Sequence, residues 1–128
     1  METLVNFTIR LAPKNRQRLA YLLSFFLSTI VHQEQKQEIE IIQGMLNKLK
    51  LEELIYSYTE IVAFMSLSTI ALENNYLTED FKQEILFLRN LLEVSSQNEK
   101  GITFLEYLTH NNKSLTGKLI GLKDRFID

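Results

Sequence analysis

With 128 residues, one proline, four glycines and no cysteine, the chain has the composition of a single, mostly helical domain, because helix interiors exclude proline and glycine. The missing cysteines exclude a disulfide scaffold, a thiolate zinc site, an iron–sulfur cluster and a cysteine nucleophile. A net charge of −2 excludes a polycation built for nucleic acid, and 45% hydrophobic residues fit an ordinary globular chain.

In chain order, Val5, Phe7, Ile9 and Leu11 alternate with Asn6, Thr8 and Arg10. That period of two predicts a short strand or extended arm within residues 1–12. Pro13 suits a first helical turn, and a helix over about residues 14–33 follows. Leu19, Leu22, Leu23, Phe26, Leu27 and Ile30 share one of its faces, while Tyr21 and Phe25 fall on the other. A polar run at residues 32–38 predicts a turn. The next helix covers about residues 35–49, with Ile39, Ile42, Met45, Leu46 and Leu49 as its stripe.

A third helix is expected over about residues 51–73. It is apolar nearly all round, which places it at the centre of a bundle. Residues 55–72 could span a bilayer by length, yet Ser57, Thr59, Ser66, Ser68 and Thr69 suit burial in protein better. Asn74 and Asn75 stop this helix, and Thr78 caps the next, with Glu79 and Asp80 in its positive first turn. That helix runs to about Val94 and packs Phe81, Ile85, Leu88 and Leu92. Residues 95–101 read as a loop, residues 102–110 as a short helix, and residues 115–127 as a last helix. The expected fold is all-α, a single-domain bundle of five or six helices over residues 13–128. The N-terminus lacks the basic start and apolar run of a secretion signal, so a cytoplasmic location is expected.

The chemistry is mostly absences. His32 and His110 are the only histidines, and no Glu-x-x-His, His-Glu-x-x-His, calcium loop or Gly-x-Ser-x-Gly occurs. Glu106 and His110 stand four apart on one helix face, which reads as a solvated pair. Gly117-Lys118 lacks the earlier glycine of a phosphate loop, and leucine follows it. Glu52-Glu53 and Glu79-Asp80 sit at helix starts, where the dipole explains them. Neither an enzyme, a metal site nor a cofactor is expected.

Two signals rise above that background. The first is surplus apolar surface: Tyr21 and Phe25 behind the first helix, and Leu86, Phe87 and Val94 behind the fourth. Such residues predict a self-association or partner surface. The second is charge segregation. Residues 1–20 carry Arg10, Lys14, Arg16 and Arg18 against Glu2, whereas residues 21–100 hold six basic and twelve acidic residues. Phe7-Thr8-Ile9-Arg10-Leu11, with the turn and leucine-rich helix after it, resembles the start of a ribbon–helix–helix DNA-binding domain. That resemblance implies strands paired across a dimer, with Asn6, Thr8 and Arg10 facing the major groove and Lys14, Arg16 and Arg18 on phosphates. Residues 24–31 continue apolar where that family turns, so a structural arm is the favoured expectation.

The function expected is therefore a non-enzymatic protein–protein interaction module that self-associates. Small regulators, adaptors, inhibitors and immunity-type proteins of bacteria and mobile elements share this profile. The alternatives are a DNA-binding regulator using a dimeric ribbon, and a ligand- or metal-binding bundle.

Overall fold

Strand β1 (Asn6–Ile9) is hydrogen-bonded on both sides, to β2 (Ile55–Ser57) and to β3 (Ser96–Gln97), both antiparallel. The computed structural model describes residues 5–30 and 36–111. Around the sheet lie α1 (Pro13–Phe25), which continues as a π-helical turn over Phe26–Ile30, then α2 (Lys36–Lys50) and α3 (Tyr58–Leu72). The remaining described helices are α4 (Glu79–Ser95) and α5 (Phe104–Asn111). The all-α expectation is thus corrected to a mostly helical fold with a small antiparallel sheet.

β1 has the alternation expected of it. Phe7 and Ile9 are buried, Asn6 and Thr8 are exposed, and Phe7 lies opposite Tyr56 while Ile9 lies opposite Ser96. Further bonds extend the ladder: Tyr58 donates its backbone N–H to Val5 (2.9 Å), Ile9 to Leu54 (2.7 Å) and Arg10 to Ser95 (3.3 Å). The expected extended arm is a central strand.

The long helix expected over residues 51–73 is corrected to a turn, a strand and α3. Glu52 takes φ 59, and its N–H reaches the Leu49 carbonyl while that of Glu53 reaches Lys48. This pair of bonds around a left-handed residue closes α2. Ile55, Tyr56 and Ser57 then extend beside β1. α3 starts only at Tyr58, because Ser57 and Glu60 form a capping box: Glu60 N–H donates to Ser57 Oγ (3.2 Å), and Ser57 N–H donates to Glu60 Oε1 (2.9 Å).

The loop expected at residues 95–101 is corrected in the same way. Ser96 and Gln97 form β3, and the Asn98 carboxamide then accepts N–H groups from Lys100 and Ile102 to turn the chain back. The second helix matches the expected span of about residues 35–49, with residues 36–38 at its start. The last predicted helix and the join between the first two helices lie outside the described residues.

α3 occupies the centre, as its all-round apolarity requires. Ile61, Phe64, Met65, Leu67 and Ala71 are buried, and the Phe26 ring of the π-turn lies 5.9 Å from Phe64. Phe7 meets Phe104 and Tyr107 edge-on at 5.3 and 5.6 Å, which binds the sheet to α5. Tyr56, fully buried, donates its hydroxyl to the Met45 carbonyl (3.2 Å).

Truncating a buried side chain removes its contacts and leaves a cavity. Phe7→Ala should therefore lower stability by about 3–5 kcal/mol, and Ile61→Ala by about 2–5 kcal/mol, in urea titrations followed by circular dichroism.

Candidate interaction face

α1 begins without a side-chain cap, since Ala12 precedes Pro13. It lies antiparallel to α4. Arg18 donates from Nε to Glu84 Oε2 (2.9 Å) and from Nη2 to Glu84 Oε1, a two-pronged ion pair. The same guanidinium sits 4.3 Å above the Phe87 ring. Farther along α1, Phe25 stacks on Phe81 at 4.6 Å. Arg10, just before α1, reaches the last turn of α4 through its bond to Ser95.

These contacts settle where the surplus apolar residues go. Tyr21 is 70% exposed, Phe87 44% and Val94 54%. Phe25 and Leu86 are instead half-buried within the chain, Phe25 because α4 presents Phe81 to it, so the exposed patch is narrower than the sequence suggested. Lys14, Arg18 and Tyr21 follow at intervals of four and three residues on α1, and Asp80, Phe87 and Val94 at intervals of seven on α4. Two stripes therefore share one face, with Tyr21 and Phe87 near its middle and Val94 at the end where α4 finishes. The Glu84 carboxyl is held below its usual range by the hydrogen bonds from Arg18, and Arg18 is raised in return.

The residues considered for DNA divide. Asn6, Thr8 and Arg10 are exposed on the outer side of β1, Lys14 is exposed, and Arg16 and Arg18 are half-exposed. Both edges of β1 are filled from within the chain, so the pairing that a dimeric ribbon requires is already taken. Arg18 is engaged by Glu84. Arg16 lines a shallow cleft of about 270 Å³ with Pro13, Gln17, Ala20, Leu49, Lys50 and Glu52, whose mixed charges converge on no single ligand chemistry.

Glu106 accepts the Thr103 hydroxyl (3.0 Å) in the first turn of α5, and His110 stands in the last turn of the same helix. Among the described residues no three His, Asp or Glu side chains gather where a metal could bind. No helix there is long and apolar enough to cross a membrane.

One polar group was missed by sequence reasoning. Arg89 is 3% exposed and donates from Nη1 to Thr69 Oγ1 (2.9 Å), while Nε and Nη2 have no hydrogen-bond partner. Glu93 Oε1 stands 3.9 Å from Nε, too far to bond it. Burial pulls the Arg89 guanidinium below its ordinary value. Its place on the buried stripe of Ile85, Leu88 and Leu92 was the available signal.

Compared with protein-family models, curated proteins and solved structures, the chain matches none.

Arg89 is the cation beside buried Glu93, so Arg89→Met alone should lower the urea midpoint, whereas Arg89→Met combined with Glu93→Leu should recover it or raise it. The Arg18–Glu84 pair gives a pH signature. Because the folded carboxyl sits below its unfolded value, its stabilisation is complete above about pH 5 and is lost as pH falls through the lowered value. The stability gap between wild type and Glu84→Gln should accordingly narrow as pH falls below about 5 and close once pH is below the lowered Glu84 value, in urea titrations.

Proposed function

We propose that this chain is a non-enzymatic protein–protein interaction module, a small regulator, adaptor or inhibitor, whose docking face is formed by α1 and α4. The observation that supports this reading is the exposure of Tyr21, Phe87 and Val94 on two adjoining helices. Aromatic side chains anchor interfaces because they bury much apolar area for little lost rotamer freedom. Leaving Tyr21 and Val94 in water has no packing benefit, since the core beneath is closed by Leu19, Leu22, Leu23, Leu88 and Leu92. The face is also rigid. The Arg18–Glu84 pair and the Phe25–Phe81 stack fix the two helices against each other, so little ordering is needed on binding.

The test compares proteins recovered from native cell extract by wild type and by the double variant Tyr21→Glu plus Phe87→Glu. Tyr21 is largely exposed and Phe87 is partly covered by Arg18, so the variant should keep its circular dichroism spectrum while its urea midpoint falls slightly. It should lose the proteins that wild type retains with stoichiometric yield. Equal recovery by both chains would overturn the reading, and tight, salt-sensitive retention of a DNA duplex would replace it with nucleic-acid binding through the sheet.

A further inference from the structure

The α1–α4 face is polar in its charge as well as apolar at its middle. Tyr21 and Phe87 mark the centre. Lys14 stands seven residues before Tyr21, and Asp80 stands seven before Phe87. Because the helices run antiparallel, each lies about 10 Å from the centre, in opposite directions. One end of the face therefore carries exposed Lys14 and Arg10, and the other carries exposed Glu79 and Asp80. Arg18 and Glu84, which neutralise each other, lie between.

A face with a basic end and an acidic end is complementary to itself in one orientation. A two-fold axis in the plane of contact, running across the helices, lays the basic end of one copy on the acidic end of the other. It stacks the two Tyr21–Phe87 centres together. An axis running along the helices would set like charges together and is disfavoured.

We infer that the partner of this face is a second copy of the chain, joined about a two-fold axis that crosses α1 and α4. The inference rests on the docking face proposed above and specifies its occupant. The face is about 20–25 Å long, from the helix lengths, and about 20 Å wide, from two helix diameters, at the small end for stable interfaces, so association in the micromolar range is expected.

Sedimentation and light scattering across a concentration series test this with three variants. Lys14→Glu places like charges opposite each other twice in the dimer, and Asp80→Lys does the same. Each should weaken association by about tenfold. The double variant Lys14→Glu plus Asp80→Lys reverses both ends and should return to near wild-type affinity. A hetero-partner of fixed charge could not produce that rescue. A double variant weaker than either single would overturn the crossing axis. A wild type that stays monomeric at millimolar concentration would overturn self-assembly, while the extract comparison separately decides whether the face docks another protein.

Discussion

The fold depends on the burial of Phe7 and Ile9 along a strand that is bonded on both edges. β1 brings together segments that are far apart in sequence, β2 near residue 56 and β3 near residue 96, and α5 closes over Phe7. Helix packing alone would leave the starts of α1 and α3 free to move. The sheet fixes both. Tyr58, first residue of α3, donates its N–H to Val5, and the chain leaves β1 straight into Pro13 at the head of α1. The direction of α1, and with it the aim of Tyr21, is inherited from β1.

The same strand governs what the surface can do. Asn6, Thr8 and Arg10 face outward, yet the sheet is filled on both sides of β1, so their role is confined to the outer face. On the α1–α4 face, the pairing of Arg18 with Glu84 leaves Lys14 and Arg10 exposed at one end and Glu79 and Asp80 exposed at the other. The charge segregation seen along the chain is therefore partly cancelled in three dimensions. What survives is a lengthwise separation across one helix pair.

Most helices were legible because their apolar spacing and caps agree: Thr78 caps α4, and the apolar stripe of α2 is buried at Ile42, Met45 and Leu49. β1 was legible from strict alternation. β2 was not, because Ile55-Tyr56-Ser57 merges into the apolar run of α3 and hides the boundary. The capping pair Ser57 and Glu60 was the sign that the helix starts late. β3 is two residues long, too short for any period to show. At the candidate face, exposure of Tyr21, Phe87 and Val94 followed from helical angles, but Phe25 did not. Its burial needs the ring of Phe81 from another helix, which one helix's periodicity cannot report. Arg89 was overlooked because charged residues are read as surface by default.

The antiparallel sheet has a temporal consequence. β1 is synthesised first, but its neighbours arrive some fifty and ninety residues later. Until Ser96 has emerged, Phe7 and Ile9 have no finished surface to cover and both edges of their strand are open. Closing such long loops is slow compared with helix formation, so α1 and α2 can form while the strand waits. The element that organises the native molecule is thus the one whose place is completed last.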